Sequence, residues 1–397
     1  MLIAVFGGGV VGGGVVEILS RQYPEISIKY LVVREVERQR DFEVPNSCTV
    51  TGDVESVLAD SSVDVIVELM GGTDLAWSVI RRALERGTHV VTANKALISK
   101  HMDAIEKILS SHANGPFFLY EAAVCGGIPV INTLLRGMHG DEIRSISGVM
   151  NGSTNWMLDQ MQLRGVGYPE LVQEAKKLGY LEADPSADVL GLDARSKLCI
   201  LARIAFGRSL KEQDVVCNGI DRVSPQDIGF AKTHGFSIRL VARSWVEANT
   251  IHAVVMPAMV PLNHALAHLA GATNCVVYQA KHSLDHVMIG SGAGRYPTAN
   301  SVVSDVLAIR NLLDMGARKS IGAFGASKSE MMAFDSDFSA QFYIRSASGD
   351  SLFRSLQDSG ITVESHVGDV ILTGKCSYKT LMGVVPQENV GIVMSVL

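Results

Sequence analysis

Cysteine is sparse and unclustered in this chain. Cys48, Cys125, Cys199, Cys217, Cys275 and Cys376 are spread over 397 residues without a CxxC pair or a Cys/His group. That argues for reduced thiols in a cytosol-like, cytoplasmic setting and against structural zinc. Long apolar runs are missing too, so no segment is expected to span a bilayer. The apolar start lacks a basic flank and runs directly into glycines, which reads as a first strand rather than a signal peptide. Charge of one sign is not concentrated: the net charge is −6, with no basic block and no Lys/Arg stretch interleaved with aromatics. Nucleic acid and anionic membranes are therefore not expected as partners. There is no G-x-S-x-G, and His264 and His268, spaced i,i+4, lack the acidic neighbour of an HExxH zinc site. Repeats and low-complexity tracts are absent as well.

What is present is a globular composition, 47% hydrophobic and 19% charged, at a length that predicts two or three domains. A mean hydropathy of +0.22 implies that part of the surface is covered by another subunit.

Glycine dominates the N-terminus. Gly7, Gly9 and Gly12 follow the apolar run Leu2 to Phe6 with G-x-G-x-x-G spacing, and a helical pattern begins at Val10. Such spacing provides a tight turn, a close backbone approach to a pyrophosphate, and close helix–strand packing. The helix start adds free N–H groups and the positive end of its dipole. A purely structural turn is the competing reading.

Residues 1–130 alternate β-like runs (Leu2–Phe6, Ile28–Val33, Val63–Leu69, His89–Thr92, Phe117–Tyr120) with helical patterns at 10–21, 74–86 and 101–111. This βαβ rhythm predicts an α/β fold with a parallel, doubly wound sheet of Rossmann type. From about 130 to 320, helical patterns (129–138, 169–178, 188–205) mix with β-like stretches (143–150, 238–246, 251–256, 275–280), which predicts a second, α+β domain. The last 60 or so residues read as a small βαββαβ regulatory unit. A polar stretch around 327–339 is the one candidate linker.

Several residues could carry chemistry. Arg34 stands 22 residues beyond Gly12, where a carboxylate would hold the ribose 2′-OH of NAD. With Arg38 and Arg40 it suits a 2′-phosphate and favours NADP, whereas Glu35 next door would suit NAD. A solvated charged turn is the alternative. Lys95, after Thr92-Ala93-Asn94, sits where a strand's carboxyl end would point it into a crevice, or else is a surface lysine at a helix start. Glu121 precedes a glycine-rich bend through Pro129 and is either a capping group in a hinge or an oxygen ligand for a monovalent cation. Asn151-Gly152-Ser153-Thr154-Asn155 could bind a small carboxylate or simply cap a helix. Gly290 to Ala299 is a second glycine cluster ahead of a helix over 301–313. The strongest constellation is Gly179-Tyr180-Leu181-Glu182-Ala183-Asp184-Pro185 with Asp188, Asp193 and Lys197. Lys197 shares the inward stripe of its helix, and Asp193 lies at i,i+4 for pairing. An inward amine among carboxylates is suited to proton transfer.

Taken in order, the segments VELMGG (67–72), TANKALIS (92–99), YEAAVCGGIP (120–129), GVMNGSTNWML (148–158), LGYLEADPSADVLGLDARSKL (178–198) and GSGAGRYPTA (290–299) resemble homoserine dehydrogenase over roughly residues 2–315. The resemblance implies reduction of L-aspartate 4-semialdehyde to L-homoserine with NAD(P)H, in threonine and methionine biosynthesis. It implies domains at 1–128 (NAD(P)-binding), 129–320 (catalytic and dimerisation) and 335–397 (ACT-like), and a homodimer or larger assembly. Lys197 would be the acid/base and Lys95 its helper beside the cofactor. Glu182, Asp193, Asp188, Tyr180, Gly179, Gly152 and Ser153 would meet the substrate. Gly7, Gly8, Gly9, Val10, Val11, Gly12, Arg34, Thr92, Gly292 and Gly294 would meet the cofactor. Glu121 with Val124, Gly126 and Ile128 would form a sodium site. Relatives often carry an aromatic residue and a Thr where Gly8 and Val10 stand, and an Asp-x-Pro-Gly turn where Gly349-Asp350 stands. No kinase-like segment is expected ahead of residue 1. Two rival readings are another Rossmann reductase of the same pathway and a non-catalytic, NADP-sensing regulator with an ACT-like domain.

Overall fold

The computed structural model describes residues 1–317, 324, 332–386, 388 and 390–397. The chain folds as two compact units, each discontinuous in sequence. One comprises Met1–Gly140, Cys199–Ser209 and Gly290–Ser329, the other Asp141–Leu198, Leu210–Ile289 and Glu330–Leu397.

The first unit is built on a six-stranded parallel sheet with strands β1 (Leu2–Phe6), β2 (Ser27–Val32), β3 (Thr49–Thr51), β4 (Val65–Glu68), β5 (His89–Thr92) and β6 (Phe118–Leu119). Its order is β3-β2-β1-β4-β5-β6, the doubly wound arrangement. The crossovers carry helices α1 (Val10–Gln22), α2 (Val54–Ala59), α3 (Asp74–Glu85) and α4 (Lys95–Ser111). β4 is buried at every residue, as expected of a central parallel strand covered on both faces. α4 starts six residues earlier than its apolar pattern shows, because Asn94 caps it by accepting the Leu97 N–H at 3.1 Å.

The helix Arg295–Asp314 belongs to this unit, whereas the sequence pattern groups it with the second domain. The cause is visible in its apolar face. Ala299, Val302, Val303, Val306 and Ile309 are buried in one core with Val15, Val16 and Leu19 of α1. Buried Val, Ile and Leu side chains contribute roughly 1.5–3 kcal/mol each, which outweighs proximity in sequence.

The second unit contains a mixed sheet. Its strands are β7 (Ile143–Val149), β8 (Val216–Cys217), β9 (Phe236–Glu247), β10 (Thr250–Pro261), β11 (Thr273–Ala280), β12 (Leu284–Ser291), β13 (Ala333–Phe334), β14 (Ser339–Ser346), β15 (Val363–Val367), β16 (Val370–Thr373), β17 (Cys376–Ser377) and β18 (Val390–Val396). The main path runs β12-β11-β7-β9-β10-β18-β14-β16-β15, with β8 and β13 paired to β10 and β17 to β14. The C-terminal residues follow the β-α-β-β-α-β order, with β17 added, and bury a core of Phe338, Phe342, Ile344, Leu352, Leu356, Ile371 and Leu381. They do not stand apart: β18 pairs with β10 at Ala258↔Ser395 and Met259↔Val396. Part of the linker stretch expected around 327–339 lies outside the described residues.

Two sequence-predicted helices take other forms. The pattern at 188–205 is two helices, Ser186–Val189 and Leu192–Phe206, because Gly191 adopts φ +80° between them. The pattern at 129–138 is one short turn, Val130–Asn132, continued by a π-turn over Thr133–Gly137.

The three fingerprint glycines have distinct geometric roles. Gly7 turns the chain at φ +110°, and a Cβ on Gly12 would overlap the Gly7 carbonyl. A Cβ on Gly9 would meet nothing within 4 Å. Gly12→Ala should therefore lower stability by about 1–3 kcal/mol through overpacking. Gly9→Ala should stay within about 0.5 kcal/mol, both read from urea unfolding; equal losses would remove the distinction.

Candidate active site

In the first unit, the face above Gly9 is open, and α1 begins at Gly9 with no side chain capping its first N–H groups. Its hydrogen bonding starts with Gly13 N–H to the Gly9 carbonyl, 2.8 Å, so the amides of Val10, Val11 and Gly12 lack a carbonyl one turn back. An open glycine face and orphan amides at a helix start fit a pyrophosphate. Gly8 faces Val33 and the Arg40 side chain. Arg34 is exposed just past β2, and among the described residues it has no hydrogen bond or ion pair. Arg40, by contrast, is spent on the turn itself: its guanidinium donates to the carbonyls of Glu35, Val36 and Arg38.

Lys95 is the first residue of α4, half-buried at the carboxyl end of β5. Thr92 beside it is fully buried, its hydroxyl 2.7 Å from the carboxylate of Glu68, the last residue of β4. Burial pushes the Glu68 carboxyl up to about 7. Glu68 escapes sequence reading because it sits in an otherwise apolar strand and motif.

The second unit brings together most of the acid/amine constellation. Lys197 Nζ donates to Asp193 Oδ2 and to the Met150 carbonyl, each at 2.7 Å, and both side chains are about 90% buried. The pair is held from the other side by Asn151, whose Nδ2 donates to Asp193 Oδ2 at 2.9 Å and to Asp188 Oδ1 at 2.6 Å. Removing either partner of such a buried pair strands a charge, at a cost of about 3–5 kcal/mol. Asn151 also caps the helix Gly152–Arg164 through Oδ1, which accepts the Thr154 N–H at 2.9 Å. The capping expected of this loop is thus met by Asn151, whose amide is taken up by two carboxylates of the protein itself. Asn155 serves packing instead: its Nδ2 faces the carbonyls of Leu269, Gly271 and Thr273.

The remaining predicted residues form a rim. Ser153 Oγ donates to the Tyr180 carbonyl at 2.6 Å, and Tyr180 stacks on Trp156 with ring centroids 5.2 Å apart. Gly179 closes the helix Tyr168–Lys177 at φ +77°. Glu182 is exposed and unpaired among the described residues, and it takes no part in the hydrogen bonds that join Asp193, Asn151 and Asp188. Gly152 is small for packing, since a Cβ there would meet the Ala272 carbonyl at 2.7 Å.

Glu121 is not an open cation ligand. Its carboxylate accepts Ile131 N–H (2.8 Å), Asn132 N–H (2.7 Å) and Asn132 Nδ2 (2.5 Å), while burial raises its pKa. Its own N–H donates to Asp305 Oδ2 at 2.8 Å, a buried acid pushed up to about 8 and not foreseen from the sequence. The following bend turns through positive φ at Cys125 and Gly126. Gly126 O accepts from Ser301 Oγ, and Ile128 O from Val130 N–H. A Cβ on Gly126 would press on the Gly292 carbonyl. Gly294, at φ +119°, starts the helix Arg295–Asp314.

A doubly wound domain with an open glycine turn, joined in one chain to a buried lysine–aspartate site, defines a dinucleotide-dependent oxidoreductase. Sequence models of families agree. The model for homoserine dehydrogenase matches residues 129–307, and that for the homoserine dehydrogenase NAD-binding domain matches residues 7–120. The homoserine dehydrogenase of Synechocystis sp. is 39% identical over 321 residues, covering 78% of this chain and 73% of that one. That of Bacillus subtilis is 33% identical over 351 residues, covering 86% and 80%. The crystal structure of a homoserine dehydrogenase from Thiobacillus denitrificans superposes with a TM-score of 0.89 at 27% identity, covering 100% and 98%. The chain belongs to the homoserine dehydrogenase family, and its first unit carries the NAD-binding domain. These matches do not favour a non-catalytic nucleotide sensor or a different Rossmann reductase. Among the described residues no helix is long and apolar enough to cross a membrane.

Asn151→Ala removes one cap and the amide between two carboxylates. It should cost about 1–2 kcal/mol from the cap alone, measured by chemical denaturation, and unchanged stability would show that the cap contributes nothing.

Proposed function

We propose that the chain reduces L-aspartate 4-semialdehyde to L-homoserine, reversibly, with Lys197 as the acid/base. The observation that carries this reading is the buried Lys197 ammonium, fixed by Asp193 and the Met150 carbonyl. When bound, a reduced nicotinamide supplies the hydride. Lys197 Nζ gives its proton to the substrate oxygen as negative charge develops there, and takes one back in the reverse direction. Asp193 aims the amine through its 2.7 Å contact. Asn151 keeps Asp193 and Asp188 from repelling one another by donating to both. Glu182, exposed and unpaired among the described residues, would meet the substrate's α-amino group, with Tyr180, Gly179, Gly152 and Ser153 shaping that edge. Lys95 serves beside the cofactor, and Gly292 and Gly294 line its far side.

NADP is the preferred cofactor in this reading, because Arg34 is an exposed guanidinium without a partner among the described residues, suited to a 2′-phosphate. A sodium ion, if held at 124–128, would take the carbonyl oxygens of Val124, Gly126 and Ile128, with Glu121 ordering the bend rather than binding through its carboxylate. Residues 335–397 are assigned an ACT-like regulatory role. A cavity of about 460 Å³ lined by Arg195, Asn218, Tyr378, Met382 and Ile392 supports it, and titrating free amino acids against turnover tests it. The edge strand β12 exposes Leu284, Val287 and Ile289, which supports a homodimer, checked by sedimentation.

Lys197→Met should cut turnover of the semialdehyde by about 100-fold or more while nucleotide binding persists. Near-normal kcat would remove Lys197 from the chemistry. Arg34→Glu should raise the KM for NADPH and leave that for NADH nearly unchanged. Equal shifts for both would place the arginine away from the 2′-phosphate.

A further inference from the structure

β4 ends in Glu68, a fully buried acid that the proposed chemistry does not use. Its oxygens are divided between two loops. Oε1 accepts the Met70 N–H at 2.7 Å, and Oε2 accepts the Thr92 hydroxyl at 2.7 Å. The Thr92 oxygen in turn accepts the Asn94 N–H at 3.0 Å. Asn94 Nδ2 reaches the Gly72 carbonyl at 2.8 Å, while Asn94 Oδ1 caps α4 through Leu97 N–H. One continuous chain of hydrogen bonds therefore joins the 70–72 loop, the 92–94 turn and the first turn of α4, where Lys95 is the leading residue.

The direction of this chain depends on the carboxylate. Above a pH of about 7 Glu68 is ionised and has no proton to give, so both neighbours must donate to it. The single Thr92 proton is committed to Glu68, which leaves the Thr92 lone pairs for the Asn94 N–H. A glutamine has nearly the same shape but carries an NH₂ on one side. That group would face either the Met70 N–H, donor against donor, or the Thr92 oxygen, which would then accept from both Asn94 and the amide and lose the acceptor for its own proton. The groups acting on Glu68 are neutral ones: Thr92, the Met70 amide and Asn94. A buried acid kept without a cation is costly, which its use as a two-sided acceptor explains.

We propose that Glu68 is a positioning residue for Lys95, setting the start of α4 through Thr92 and Asn94. This rests on the reading of Lys95 as a group acting beside the cofactor. The test is a double-mutant cycle in the full-length protein, with kcat, the KM for NADPH and thermal unfolding measured for each variant. Glu68→Gln should remain folded and lose about 10-fold or more in kcat. Thr92→Val, which breaks the same link, should match it. On a Lys95→Ala background neither substitution should lower kcat further, because the group they position is gone. Wild-type kcat in Glu68→Gln and Thr92→Val, or losses that multiply in full with Lys95→Ala, would overturn the proposal. An unchanged kcat in Lys95→Ala alone would instead overturn the role given to Lys95, and the proposal with it.

Discussion

The ion pair between Lys197 and Asp193 is the constraint around which the second unit is organised. Two opposite charges removed from water are tolerable only when each remaining hydrogen-bonding position is met. The helix Leu192–Phe206 supplies both members one turn apart, the end of β7 supplies the Met150 carbonyl, and the next residue, Asn151, supplies an amide. A strand end and a helix face are thereby joined by polar atoms as well as by apolar packing. Such a site holds its amine in one direction, which is what the proposed proton transfer needs.

The first unit solves a different problem by leaving things out. At Gly7 and Gly12 the missing side chains let strand, turn and helix approach one another. At Gly9 the missing side chain leaves room that no protein atom fills. Sequence spacing identifies all three, but only the folded structure separates the two that serve packing from the one that faces outward. Gly126 and Gly292 likewise look like parts of independent loop motifs, and in the structure it is the missing side chain of Gly126 that makes room for the Gly292 carbonyl.

How far the sequence is legible follows from which interactions are local. The doubly wound sheet is visible because parallel strands buried on both faces give continuous apolar runs, and the Lys197–Asp193 pair is visible because i,i+4 spacing is a property of one helix. The attachment of the helix Arg295–Asp314 to the N-terminal core is not visible, since its apolar face is equally compatible with any core. Nor are Asn151's grip on two carboxylates, Glu68 at a strand end, or Asp305 under Glu121, each of which joins residues distant in sequence or hidden in an apolar run. Glu121 shows the reverse case. The resemblance assigns it to a cation, and the structure gives its oxygens to the amides of Ile131 and Asn132 and the Asn132 side chain.

The seam between β10 and β18 is short, two residue pairs in register. β10 is otherwise a long, buried, apolar strand, twelve residues from Thr250 to Pro261. Anything that peels β18 away, a nick by a protease or a frameshift near the end, would uncover the β14 edge from Gln341 to Ser346 and the Ala258–Met259 stretch of β10, whose pairings with β8 and β13 remain. Such an edge recruits strands from other molecules, so the tail's departure would be felt as insolubility.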